Sequence, residues 1–390
     1  MISVDDALDA LIALVEPLGT EEIPLIDAAN RVLASDAVAR RDQPPFAASA
    51  MDGYAVNGAE ADQHAQFKVV GESAAGERFA GQIKAGQAVR IFTGAPVPEG
   101  ATHVVIQEEI ERRGDLITIT EAQNVPGNIR PAGNDFREGA RIAAPRLLRP
   151  EDVALLASMN IARVTVYRRP VVALISTGDE LVMPGETPGP DQIIASNTFG
   201  LHALLRDLGA VPRLLPIARD TRESLEMTFK LARGADLIIT IGGASVGDHD
   251  LVAPVAASLG MEQAFYKVAM RPGKPLMAGR MGESLMLGLP GNPVSAMVCG
   301  HVFMAPMIRA MQGLPADAAP QRTARLAADL PANGPRQHYQ RARVENGEIT
   351  VFDRQDSSLL TILAEANALT ITPPNAPAMK AGETISYLPL

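Results

Sequence analysis

At 390 residues the chain exceeds what one hydrophobic core usually organises, so roughly two to four domains are expected. Hydrophobic residues make up 47% and charged residues 21%, an ordinary globular balance that excludes a fibrous or disordered chain. With 35 basic against 45 acidic residues the net charge is −10, which repels phosphate backbones and disfavours a general nucleic-acid binder, though not a local basic pocket for a small anion.

Ser3 to Leu18 carries apolar residues at helical spacing (Ala7, Leu8, Leu11, Ile12, Val15), and Ser3 with Asp6 forms a capping-box pattern. A second short helix is expected over Leu25 to Ala34, before Pro44-Pro45 breaks the pattern. From Phe46 to Gly139 short β-like runs (67–70, 88–91, 103–107, 116–120) alternate with Gly, Pro and Asn, as in a small all-β unit. Pro150 to Met159 reads as a helix, with Pro first and Glu151 and Asp152 in its first turn, and Ala162 to Val166 as a strand.

Pro170 opens an alternating regime. Val171 to Ile175 and Leu237 to Ile241 are continuous apolar runs, as strands buried on both faces require. Helices are expected at Asn197–Leu208, Thr221–Arg233 and Leu251–Leu259, and further strands at Val211–Ile217, Ala264–Met270 and Ser284–Leu289. A long apolar helix should follow from Pro293 to Met311. This alternation implies a mostly parallel sheet with right-handed crossovers. After Leu314 the helices stop, and short runs at 340–344, 348–352, 368–372 and 383–388 predict a closing β domain.

In an open α/β sheet, ligands bind beyond the carboxyl ends of the strands. Three loops stand there: 176–181, 242–250 and 289–295. The second is neither a P-loop nor G-x-G-x-x-G, so it excludes the NTPase and dinucleotide fingerprints. It reads either as a structural turn or as an anion cradle, and its place after a buried strand favours the cradle. Arg271-Pro272-Gly273-Lys274-Pro275 reads as a solvated basic turn or as an oxyanion clamp with a forked guanidinium. Carboxylates beside such loops suit Mg²⁺, which takes oxygen ligands and substrate phosphates. The six His residues show no metal-ligand spacing. Cys299, the sole cysteine, can form no intrachain disulfide or zinc site alone, and its apolar neighbours mark a buried thiol. With neither a secretory leader nor an uncharged membrane-length apolar run, a cytoplasmic chain without membrane contact is expected.

The segments SAMDGYA (49–55), FTGAPVP (92–98), RPAGNDFREG (130–139), STGDEL (176–181), GGASVGDHD (242–250), RPGKP (271–275) and LPGNPVS (289–295), in that order, resemble the molybdopterin molybdenumtransferase family. The E domain of gephyrin is a member of that family, and the match covers nearly the whole chain, through Gln355-Asp356-Ser357-Ser358 and 364–367. The resemblance implies a multidomain α/β plus β protein. It predicts an elongated N-terminal helical and sheet domain (1–45 and 140–168), an inserted β domain (46–139), a pterin-binding parallel α/β domain (169–314) and a C-terminal β domain (315–390).

It further implies a homodimer whose cleft lies between the α/β domain of one subunit and the inserted domain of the other, with other molybdenum-cofactor biosynthesis proteins as partners. Carried over, Asp52, Thr93, Asp135, Glu180 and Asp250 are catalytic, and Asp52, Glu180 and Asp250 would hold Mg²⁺. Thr177, Gly178, Asp179, Asn197, Gly242, Gly243, Ser245, Gly247, Pro290, Gly291, Asn292 and Pro293 would bind the pterin. Arg271, Lys274, Ser295 and Arg336 would hold molybdate. Many relatives have Lys where this chain has Arg271, and Ser or Thr where it has Ile241. The implied reaction takes adenylated molybdopterin and molybdate to molybdenum cofactor and AMP. A tungsten-selective member and a non-catalytic pterin-binding scaffold are the competing readings, and the lack of a long linker or second catalytic domain disfavours the scaffold.

Overall fold

The opening helix, Val4–Ile12, is fixed by its own ends in the computed structural model, which describes all residues except 123–126, 244–250 and 317. The Ser3 hydroxyl accepts the Asp6 N–H at 3.0 Å and the Asp6 carboxylate accepts the Ser3 N–H at 3.4 Å. The helix stops well before the expected Leu18, since Pro17 would meet the Ala13 carbonyl in any continuation. Val4, Ala7 and Leu11 join the core that also holds Val172, Leu174, Met307 and Ile308, so this first helix packs beneath the central sheet. The second expected helix is not formed. A single 3₁₀ turn, Leu25–Asp27, gives way to Asn30 at φ +60° and a strand at Val32–Leu33. That strand pairs with Arg146–Leu147 and Arg163–Tyr167, and Thr20–Pro24 completes an antiparallel sheet. Pro150–Ser158 covers it, burying Leu156 against Leu33, Leu148 and Val166.

Between these halves lies a six-stranded sheet in the order His103–Ile106, Gly53–Val56, Gln87–Ile91, Gln66–Ser73, Leu116–Ile119, Ile110–Arg113. Its faces carry separate cores, Tyr54, Val105 and Ile117 on one and Val89, Ile91 and Val104 on the other. Asp52 directly precedes the Gly53–Val56 strand.

The central sheet runs Val211–Leu214, Val171–Ser176, Leu237–Ile241, Ser284–Leu289, Met277–Met281, Met261–Tyr266. The first members pair in parallel through Ser284–Leu289, and the last two are antiparallel, so the sheet is mixed rather than parallel throughout. The cause is local. Met281 pairs with Ser284 across a two-residue Gly282-Glu283 turn, with Gly282 at φ +59°, and a hairpin of that length admits only antiparallel strands. The expected strand from Ala264 to Met270 is split: Lys267 at φ +68° ends Met261–Tyr266, and Met270–Arg271 crosses to the C-terminal sheet.

Helix Pro293–Cys299 continues through a π-turn at Gly300–Met304 into Ala305–Met311. Pro306 can donate no N–H to the residue 302 carbonyl, and the wider turn before it relieves the clash of its ring. Although this helix is long and apolar enough to cross a membrane, 83% of it is buried, with Val294, Ala296 and Phe303 fully enclosed in the core. In the C-terminal unit Arg322–Leu326, Gln337–Glu345, Glu348–Val351, Ala368–Thr372 and Thr384–Pro389 form one sheet, and pairing of Gln337–Glu345 with both Glu348–Val351 and Ala368–Thr372 closes it into a barrel.

Candidate functional site

The parallel strands Val171–Ser176, Leu237–Ile241 and Ser284–Leu289 all end on one edge, and a cleft of about 680 Å³ opens beyond them. Thr177, Gly178, Glu180, Asn197, Gly242, Gly243, Pro290, Gly291, Asn292 and Pro293 line it together. Backbone pairing extends past the strands to set the floor. Thr177 donates to the Ile241 carbonyl at 3.0 Å, Gly242 to the Leu289 carbonyl at 3.1 Å, and Gly178 to the Ala218 carbonyl at 3.1 Å. Gly242 has φ +94°, and a Cβ there would lie 2.8 Å from the Thr177 carbonyl oxygen, so only glycine lets the two turns meet. The Asn197 amide donates to the Gly291 carbonyl at 2.7 Å, which ties the start of helix Asn197–Asp207 to the Pro-Gly-Asn-Pro turn.

Thr177 is 5% exposed, yet its hydroxyl has no hydrogen-bond partner among the described residues. A buried hydroxyl normally has one, so at the cleft floor it offers a donor and acceptor to a ligand. Asp179 does not line the cleft. Its carbonyl accepts from Arg219 at 2.8 Å and its carboxylate from the Asp220 N–H at 3.3 Å, so it braces the loop from behind. Asp220, Ser176, Ser196, Pro275 and Ser358 line the cleft without having been singled out as site residues. Asp220 stands in the loop beyond the carboxyl end of Val211–Leu214, a strand that stops short of the expected Ile217 and so opens on the same edge as the other strand-end loops. Ser358 comes from the C-terminal unit, and no local pattern connects it with the α/β edge.

Asp52 and Thr93 meet in the six-stranded unit. The Thr93 N–H and hydroxyl both donate to Asp52 Oδ1, at 2.7 and 2.8 Å. The Thr93 backbone bond and then its hydroxyl hold the Asp52 carboxyl below the usual range, outweighing burial, with the Arg90 charge adding the least. Asp135 is exposed, its N–H bonded to the Gln43 carbonyl at 2.9 Å. None of Asp52, Thr93 and Asp135 lines the cleft of its own chain. Among the described residues no group of three or more His, Cys, Asp or Glu is placed to hold a metal.

Arg271 pairs in parallel register with His338 of the C-terminal barrel. Burial, with the charges of Arg271, Arg336 and Arg341, pushes the His338 imidazole down to about 4, so the expected oxyanion residues Arg271 and Arg336 share one neighbourhood around a neutral ring. Gly273, at φ +109°, brings the basic turn onto helix Pro293–Cys299, where a Cβ would stand 2.5 Å from Cys299 Sγ. Lys274 is exposed on that turn, and Pro275 beside it reaches the cleft. Ser295 is 4% exposed, within the first turn of the same helix, and is not a cleft-lining residue. Ser245, Gly247 and Asp250 lie outside the described residues. A Gly-lined cleft with carboxylates on its wall, and Lys274 next to the lining residue Pro275, suits an elongated ligand with an anionic segment and a second small anion.

The sequence matches, in chain order, the MoeA N-terminal region (domain I and II) over residues 2–160, a probable molybdopterin binding domain over 173–310 and the MoeA C-terminal region (domain IV) over 323–390. A molybdopterin molybdenumtransferase of Haemophilus influenzae is 35% identical, with 100% of this chain and 98% of the relative aligned. Another from Nostoc is 34% identical over 100% of this chain and 94% of the relative. Among solved structures, a molybdopterin biosynthesis MoeA protein from Pyrococcus horikoshii superposes with a TM-score of 0.84 at 28% identity, covering 100% of this chain and 99% of that one.

Proposed function

The chain belongs to the molybdopterin molybdenumtransferase family, and on that premise we propose that its cleft binds adenylated molybdopterin and transfers molybdate to it with release of AMP. The observation that carries this reading is the convergence of Thr177-Gly178, Gly242-Gly243 and Pro290-Gly291, at three strand ends, on one cleft of about 680 Å³, with a Thr177 hydroxyl that has no partner among the described residues. That volume is within the ordinary range for a small-molecule site. Thr177, Asn197 and the turns around Gly242 and Gly291 bind and orient the pterin nucleotide, while Arg271, Lys274 and Arg336 compensate the double charge of molybdate against a chain whose net charge is −10. Holding both substrates in one site supplies much of the rate, since effective molarities on the order of 10⁵ M are available to well-positioned partners.

Mg²⁺ takes one or two carboxylates plus substrate phosphates, and Glu180 on the cleft wall is one carboxylate of that kind. Bound there, the ion would neutralise charge on the phosphoanhydride. Asp52 accepts both Thr93 bonds at Oδ1 and none at Oδ2 among the described residues, but it belongs to a unit outside its own chain's cleft. The reading therefore includes a homodimer in which Asp52, Thr93 and Asp135 of one subunit face Glu180 of the other. Exposed apolar residues on both surfaces, Met51 beside Asp52 and Ile193 on the cleft wall, support such a contact. A lone, fully buried thiol suits a reducing cytoplasm. The test is AMP release from adenylated molybdopterin by purified protein: release that depends on added molybdate is expected, and release without it would overturn the reading.

A further inference from the structure

The largest fully buried side chain among the described residues is a charged one, Arg341, at 1% exposure. Burying a guanidinium is unfavourable unless its donors are satisfied. Here a loop supplies the acceptors. Arg341 Nε donates to Gln355 Oε1 at 3.1 Å and its terminal nitrogen to the Asp356 carbonyl at 2.7 Å. The clasp is returned, because the Arg341 N–H also donates to Gln355 Oε1 at 3.0 Å and Gln355 Nε2 donates to the Arg341 carbonyl at 2.9 Å.

The clasped loop leads directly to the cleft. The Ser357 carbonyl accepts the Val294 N–H at 3.0 Å, one of the donors that the first turn of a helix leaves unpaired. Ser358 donates its N–H and hydroxyl to Asp356 Oδ1 at 2.8 and 2.6 Å and lines the cleft beside Pro293. A continuous set of contacts thus runs from the face of the C-terminal barrel that packs on the α/β core, where Arg341 shares a side with Tyr339 and Leu369, to the wall of the α/β cleft.

We propose that Arg341 is a positioning residue for the transfer reaction, whose planar fork fixes residues 355–358 against the helix at Pro293 and so sets where Ser358 stands in the cleft. The proposal rests on the reading of that cleft as the pterin site. Lysine cannot replace the fork, because an ammonium lacks two fixed, coplanar donors at that spacing. Without the fork, Gln355 Oε1 and the Asp356 carbonyl lose charge-assisted partners, and the loop gains alternatives to its present course.

The experiment compares Arg341→Lys and Arg341→Gln in the full chain by amide hydrogen exchange and by steady-state kinetics. Exchange over 355–358 and at Val294 should accelerate about tenfold or more in both variants. KM for adenylated molybdopterin should rise about tenfold with kcat held within about threefold, as expected for lost ground-state positioning. A Lys variant that keeps normal exchange and KM while the Gln variant loses both would overturn the proposal, since charge alone would then suffice. Faster exchange with an unchanged KM would also overturn it, because the loop would not serve the cleft. If neither variant folds, Gln355→Leu, which removes the acceptor and keeps the arginine, must give the same paired change. Should the unmodified chain fail to turn over adenylated molybdopterin, the functional reading falls, and the exchange measurement alone still decides whether Arg341 holds the loop.

Discussion

Asp52 and His338 are tuned in opposite chemical senses by neighbours the structure names. Two hydrogen bonds from Thr93 favour the Asp52 carboxylate, so it stays ionised to lower pH than an ordinary carboxyl. Thr93→Val removes the hydroxyl bond and should move the Asp52 midpoint upward in a carboxyl-carbon NMR titration; an unmoved midpoint would remove the Thr93 hydroxyl from that role. Burial, with nearby arginines, favours the neutral His338 ring, at about 4 against an ordinary 6.5. The unfolded chain therefore takes up this proton first as pH falls, and stability should decline on acidification from about 6.5 toward 4. His338→Gln should flatten that part of a plot of urea midpoint against pH. A profile as steep as the parent's would show that other groups set it.

At the scale of elements, the turn Arg271–Pro275 joins three structures: its first residue pairs with the barrel, its glycine sits on helix Pro293–Cys299, and its last proline reaches the cleft. A turn anchored at both ends aims its cations, so charge at Lys274 should matter more for the oxyanion than for the pterin. Lys274→Ala is expected to raise the molybdate concentration for half-maximal turnover about tenfold or more, the scale of one charged hydrogen bond, with pterin affinity nearly intact. Arg271→Lys should stay largely active, since charge is retained. A Lys274→Ala protein with weakened pterin binding and unchanged molybdate dependence would reassign the cation to the substrate phosphate.

For the whole molecule, the placement of Asp52 outside its own chain's cleft has a direct consequence if the active unit is a symmetric dimer. Asp52→Ala and Glu180→Ala homodimers should each be inactive, but co-refolded or co-expressed chains would form mixed dimers with one intact site. Random assortment then returns about a quarter of the parent activity. No recovery, alongside light scattering that gives a monomer near 41.2 kDa with full activity, would place the reaction within one chain.

The sequence by itself determined what depends on local pattern. Strands with continuous apolar runs, Val171–Ser176 and Leu237–Ile241, and helices with caps or an initial proline, Val4–Ile12 and Pro150–Ser158, were legible because burial periodicity and end chemistry are written in neighbouring residues. The Gly-rich loops at the strand ends were legible for the same reason, since parallel strands share a carboxyl edge. Tertiary structure decided the rest. It turned the Leu25–Ala34 helix into a turn and strand, because Val32 and Leu33 find hydrogen-bond partners more than a hundred residues away. It split Ala264–Met270 between two sheets and brought Asp220 and Ser358 to the cleft. It also buried Arg341 between the barrel and the α/β core, where residues 355 and 356 supply acceptors to its guanidinium. Such pairings are fixed by which surfaces meet after folding, and no spacing along the chain encodes them.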